Sequence, residues 1–216
     1  MKLGALAPYE DALVRASPLA LVTTEGRLLH LNIAKFLNDP DDADQTVLDR
    51  CIAPVLDVGC GPGRLVQALS AQGRPALGVD IANVAVALTC QRGAAALQRD
   101  VFDALPGEGR WPTVLVLDGN IGIGGDVASL LNRLRRLLGP RSALFIEAST
   151  QVCGTDEVLD VRFLEQGVAC GPTFRWARIS ADVLAVRAEQ AGFAVTDQWS
   201  AGERDFLRLS RSTTLA

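Results

Sequence analysis

One segment constrains this chain more than any other: Asp57-Val58-Gly59-Cys60-Gly61-Pro62-Gly63 closes an apolar run at 54–58 and opens into a helix-like stretch at 64–72. Glycines at every second position let the backbone turn tightly and leave no Cβ in the way of a neighbouring group. Strand, glycine turn and helix in that order form the unit of a parallel sheet, because only a crossover returns the chain to the same end. The alternation continues, with strands expected at 75–79, 94–98, 113–117 and 142–147 and helices at 82–92, 127–138 and 181–190. Gly93, Gly139-Pro140 and Gly192 supply the helix stops. Two final strands at 193–197 and 205–209 flank a short polar stretch with Gly202, which suits a hairpin. The expected fold is α/β, a doubly wound and mostly parallel seven-stranded sheet with an antiparallel edge strand. Residues 1–50 are expected to form an N-terminal cap, with helical pieces at 9–16 and 46–51, over a domain spanning 51–216. Residues 150–178 read as a less regular insertion on the substrate side.

Composition narrows the partners. The chain has 216 residues, enough for one domain with a small appendage, and 49% hydrophobic residues, enough for a sizeable core. Lys plus Arg at 21 against Asp plus Glu at 25 leaves a net charge of −4, which offers no broad attraction to nucleic acid or an anionic membrane. No uncharged apolar run approaches the roughly 20 residues of a membrane span. The opening MKLGALAPYED lacks the apolar region of a secretory signal, so a cytoplasmic address is expected. The five cysteines are an odd number without C-x-x-C spacing, which points to buried, inert thiols and to neither a disulfide framework nor a thiolate zinc site. The acidic stretch 38–44 lacks a ligand at Ala43 and a following glycine, so it reads as a solvated turn and helix cap with no metal. Arg133, Arg135, Arg136 and Arg141 read as a solvated helix face. Monomer and homodimer stay open.

Spacing around the turn excludes two nucleotide-binding readings. G-x-G-x-x-G starting at Gly59 requires glycine at 64, where Arg64 stands, and no Lys followed by Ser or Thr completes a phosphate-binding loop here or at 119–125. What remains is D-x-G-x-G-x-G. The run VLDVGCGPGR at 55–64 resembles the first motif of the class I S-adenosylmethionine-dependent methyltransferases. Asp80 closes ALGVDI and Asp100-Val101-Phe102 follows the third strand, both where that family's later motifs lie. The resemblance implies a Rossmann-like sheet, S-adenosylmethionine as cofactor, and a donor site built from Asp57, Gly59, Cys60, Gly61, Gly63, Asp80, Ile81, Asp100, Val101, Asp118 and Gly119. Within it, Asp80 would accept the ribose hydroxyls, Asp100 the exocyclic amine of adenine, and the Val101 backbone the ring. Carboxylates at four successive strand ends suit a sulfonium cation bearing an ammonium group.

Methyl transfer requires little beyond alignment, since the thioether departs neutral, so no catalytic residue need announce itself. Asn120, in the glycine-rich loop DGNIGIGGD at 118–126, faces either the acceptor or a plain turn in which Asp126 caps the next helix. His30, the sole histidine, reads as a packing-edge residue beside Leu28, Leu29 and Leu31, with a general base as the alternative. Phe174, Arg175 and Trp176 are candidates for the acceptor pocket, because long loops on rigid scaffolds often carry binding residues. The expected activity is transfer of a methyl group to O, N or C of a small molecule. The alternatives are a non-catalytic sensor or inactive partner that only holds the cofactor, and an aminopropyl transferase.

Overall fold

The computed structural model describes residues 6–149 and 153–212. Helix α1 (Ala7–Arg15) leads into the antiparallel hairpin β1 (Leu19–Thr23) and β2 (Leu28–Leu31), followed by α2 (Ile33–Leu37) and α3 (Asp42–Leu48). Asp41 starts α3 through a capping box, its side chain accepting the Asp44 N–H while the Asp44 side chain accepts the Asp41 N–H. The alternating core follows as β3 (Val55–Val58), α4 (Arg64–Ala71), β4 (Ala76–Asp80), α5 (Asn83–Gln91), β5 (Ala96–Gln98), β6 (Trp111–Val116), α6 (Val127–Leu137) and β7 (Leu138–Ala148). A hairpin, β8 (Asp156–Glu165) and β9 (Val168–Ile179), precedes α7 (Ala181–Gln190) and the closing pair β10 (Phe193–Ala201) and β11 (Arg204–Arg211).

Seven strands form the main sheet in the order β10-β11-β7-β6-β3-β4-β5. The pairs from β7 through β6, β3 and β4 to β5 are parallel, and antiparallel pairing is confined to the edge where β11 runs against both β7 and β10. Both faces of this sheet are covered, so its central strands are apolar throughout rather than alternating. Leu56, Val58, Val114, Val116, Leu144 and Ile146 face α6, where Leu130, Leu131 and Leu134 pack on them. Val55, Leu115 and Phe145 face the other way, onto Leu65 and Leu69 of α4 and Val47 and Leu48 of α3.

The second sheet departs from the sequence reading. Residues 156–179 are not irregular: β8 and β9 pair with each other, and β8 also pairs with β1, giving a four-stranded antiparallel sheet ordered β2-β1-β8-β9. The register sets Leu21 opposite Phe163, Val161 opposite Phe174, and Leu159 opposite Trp176. Alternation then sorts the residues, with Leu159, Val161 and Phe163 turned inward while Val158, Asp160 and Arg162 are exposed. Segments expected as a separate cap and an insertion therefore share one hydrogen-bonded layer. Residues 150–152 of the expected insertion lie outside the described residues. The helix expected at 46–51 runs instead over α3, displaced toward the capping box at Asp41. Among the cysteines, Cys51 and Cys60 are buried, whereas Cys90 and Cys153 are exposed, contrary to the expectation of buried thiols. No helix among the described residues is long and apolar enough to cross a membrane.

Candidate active site

The carboxyl ends of β3, β4, β5 and β6 open on one cavity of about 780 Å³, in the upper part of the roughly 300–1,000 Å³ typical of ligand pockets. A recess of about 40 Å³ beside the glycine turn shares Tyr9, Phe36, Gly59, Asp118 and Asn120 with its lining. The cavity floor belongs to the main sheet and its roof to the second sheet.

Asn120 fixes the turn. Its Nδ2 donates to the carbonyls of Gly59 at 2.8 Å and Val58 at 3.2 Å, and a Cβ on Gly59 would lie 2.5 Å from that nitrogen. Glycine at 59 thus makes room for a clamp from the chain itself, and Asn120 holds the floor while also lining the cavity. Asp80 ends β4 with both oxygens engaged: the Gly61 N–H donates to Oδ2 at 2.9 Å and the Ala82 N–H to Oδ1 at 2.8 Å. Burial raises its pKa above the ordinary carboxylate value, while these amides oppose the rise. Past β5, Asp100 accepts the Phe102 N–H at 3.0 Å, and the Val101 carbonyl accepts from Arg133 Nε at 2.6 Å. Arg133 also reaches the Asp103 carbonyl and Glu108, so it is a buried staple for this loop and not the solvated side chain expected.

Asp118 is the most heavily paired of the acids. Arg64 Nη1 lies 2.6 Å and Lys35 Nζ 2.9 Å from its carboxylate. Burial alone would push this carboxyl up, but the two cations hold it below the usual range. The pairing extends inward: Arg64 meets the fully buried Asp44 through Nε at 3.0 Å and Nη2 at 2.9 Å, Asp44 accepts from Arg204 Nη1 at 2.8 Å, and Arg204 Nη2 lies 2.7 Å from Glu147. Glu147 closes the circuit by accepting the Asp118 N–H at 2.7 Å. Asp57 stands apart, 2% exposed within β3 beneath the turn, with Oδ2 lacking any hydrogen-bond partner. Burial pushes its pKa up to about 7, Arg64 lowers it, and the neighbouring Asp118 and Asp80 add to the rise.

Of the residues singled out from sequence, Gly59, Asp80, Ile81, Asp100, Val101, Asp118, Asn120, Phe174, Arg175 and Trp176 line the large cavity. Cys60 and Gly61 line only the recess. Asp57, Gly63 and Gly119 line neither; Gly63 packs against Thr89, where a Cβ would come within 2.4 Å. His30 is exposed on β2 between Leu29 and Leu31, whose side chains pack inward, so strand alternation turns the imidazole away from the cavity. The loop glycines after β6 serve β9: a Cβ on Gly122 would fall 2.4 Å from the Ala177 carbonyl oxygen. Asp126 caps α6, accepting the Ser129 N–H at 3.0 Å. Sequence reasoning missed Tyr9, Leu21, Leu31 and Phe36 in the lining and Lys35 and Arg204 in the ion network, all placed by contacts between distant segments.

The comparisons agree with this architecture. A family model described as a methyltransferase domain matches residues 24–198. A solved S-adenosylmethionine-dependent methyltransferase from Bacteroides fragilis, in complex with S-adenosyl-L-homocysteine, is 21% identical over 96% of this chain and 94% of its own, with a TM-score of 0.79. The CcbJ methyltransferase from Streptomyces caelestis shares 13% identity over 82% and 92% of the two chains, with a TM-score of 0.62. The 1,6-didemethyltoxoflavin-N1-methyltransferase of Burkholderia thailandensis shares 20% over 74% and 71%, with a TM-score of 0.56. No curated protein sequence matches the chain. With a family match over most of its length and that fold around one strand-tip cavity, the chain belongs to the methyltransferase-domain family and has the fold of the class I S-adenosylmethionine-dependent methyltransferases.

Proposed function

We propose that this methyltransferase takes the methyl group of S-adenosylmethionine and passes it to O, N or C of a small molecule by in-line displacement. The observation that carries the reading is one continuous cavity with carboxylates and a glycine turn on its floor and an apolar roof. The floor residues suit the donor. Each Asp80 oxygen accepts a single amide and so retains a lone pair for a hydroxyl, and Asp100 keeps an oxygen free beside Val101. Asp57 adds an unpaired buried oxygen beneath the turn, and the paired Asp118 lines the recess. Bound there, the donor supplies a methyl group on a cationic sulfur that leaves as a neutral thioether. The chain's part is alignment, and holding the reacting atoms about 3 Å apart can lower the barrier by roughly 7–11 kcal/mol. Crystals of the B. fragilis and B. thailandensis proteins that hold S-adenosylhomocysteine support this choice of donor. A net charge of −4 supports a small-molecule acceptor rather than nucleic acid or a membrane.

Calorimetric titration with S-adenosylhomocysteine tests the reading in the wild type and in Gly61→Val. Gly61 has φ +53° and lines the recess, and a Cβ there already stands 3.2 Å from the Tyr9 hydroxyl. A branched side chain would fill the recess. Binding should disappear while the circular dichroism spectrum is retained; undiminished affinity would overturn the assignment.

A further inference from the structure

We propose that the acceptor is a flat aromatic or heteroaromatic molecule that brings its own free lone pair to the reaction, an inference that rests on the methyl-transfer reading above. The first support is the roof. Leu21, Leu31, Phe163, Phe174 and Trp176 all line the cavity from the second sheet, and Phe36 adds a further ring from α2. Phe163 and Phe174 have ring centroids 5.3 Å apart at 43°, and Phe174 and Trp176 lie 6.4 Å apart at 87°. These separations fall within the range in which aromatic rings attract through their quadrupoles, so the roof is a connected ring cluster to which another ring can add. Phe174 and Trp176 are only half-buried, which leaves part of their ring surface open to a ligand.

The second support is the distribution of ionisable groups. Those lining the cavity are Tyr9, Asp80, Arg99, Asp100, Asp118 and Arg175. Asp118 is neutralised by Arg64 and Lys35, and Asp80 is tied to two backbone amides. Asp100 accepts the Phe102 amide on the donor side, and burial raises Tyr9 far above neutrality, so its hydroxyl stays protonated. The arginines cannot accept a proton. The free oxygens of Asp80 and Asp100 lie on the floor that the donor takes, and with His30 turned outward the roof, among the described residues, has no group that could remove a proton from an acceptor. An alkyl amine, like a lysine, is protonated at neutral pH and has no lone pair to offer, and an aliphatic alcohol needs a base. An aryl amine, a ring nitrogen, an acidic phenol or a heteroaryl thiol has one. In the step itself the acceptor's lone pair forms the bond to the methyl carbon while the carbon–sulfur pair stays on sulfur. Any remaining N–H proton of the product goes to water.

The test uses the full chain and two arms. S-adenosylhomocysteine is first titrated alone; failure to bind overturns the methyl-transfer reading and this inference with it. With it saturating, aminoquinoline, hydroxyquinoline and mercaptopyridine are then titrated against their saturated-ring counterparts, and turnover with the methyl donor is followed for each. The expected result is binding and methylation of aromatic probes over their counterparts, with kcat/KM rising to a plateau at the acceptor's own pKa. Phe174→Leu, which stays apolar and loses the ring, should weaken the aromatic probes about 2- to 12-fold and leave S-adenosylhomocysteine affinity within about threefold. Preference for saturated probes, failure of every aromatic probe to bind, or unchanged affinity in Phe174→Leu would sink this inference alone.

Discussion

Replacing Asp44 by Asn probes the buried charge circuit behind the cavity. Asp44 is fully buried, accepts two bonds from Arg64 and one from Arg204, and has its pKa lowered from 3.8 to about 2, where burial opposes and the two guanidiniums prevail. Asn keeps the shape but cannot balance two buried cations, and removing one partner of such a pair costs about 3–5 kcal/mol. At roughly 2–4 °C per kcal/mol for a chain of this size, the midpoint of thermal unfolding should fall by about 6–20 °C at pH 7. The acid dependence separates charge from packing. The unfolded chain protonates Asp44 near pH 4 and the folded chain only near pH 2, so the stabilisation is complete above about pH 5 and fades as the pH drops toward 2. That portion amounts to about 2 kcal/mol. Urea unfolding followed by circular dichroism at pH 7, 5, 4 and 3 should show the gap between wild type and variant narrowing as pH falls. A gap below about 1 kcal/mol at pH 7, or one that stays constant with pH, would refute the argument.

Two further substitutions report on the site. Gly59→Ala places a methyl group 2.5 Å from Asn120 Nδ2 at φ +72°, so the clamp must open; a stability loss of about 1–3 kcal/mol in urea and at least tenfold weaker S-adenosylhomocysteine binding by calorimetry are expected. His30→Ala should leave kcat and its pH profile unchanged, because the ring lies on the outer face of β2; a tenfold drop in kcat would make His30 a base after all.

The main sheet was legible because its signals are local. Apolar runs such as Val55–Val58 and Trp111–Val116 are bounded by glycine and polar turns, and Gly59, Gly61 and Gly63 fix where the first strand hands over to a helix. Sequence spacing likewise put Asp57, Asp80, Asp100 and Asp118 at strand ends on one rim; the last three line the cavity, whereas Asp57 is buried within β3. The roof was not legible, since Ala20 pairs with Leu164 across most of the chain and no local pattern announces such a partner. A period-two signal did exist in Leu159, Val161 and Phe163 alternating with Asp160 and Arg162, and read as a strand it would have identified β8. The ion circuit escaped for the same reason as the roof: α2, α3, α4 and β11 each contribute a charge that looks like surface in its own segment.

The pairing of β1 with β8 has a consequence for truncation. A chain begun at residue 32 would lose β1 and β2, and from Val161 to Leu164 the peptide groups of β8 that now face β1 would be bare. Such an unprotected strand invites the same strand of another molecule, so the shortened protein should stick to itself and precipitate. Its seven-stranded half would keep all of its own ladders.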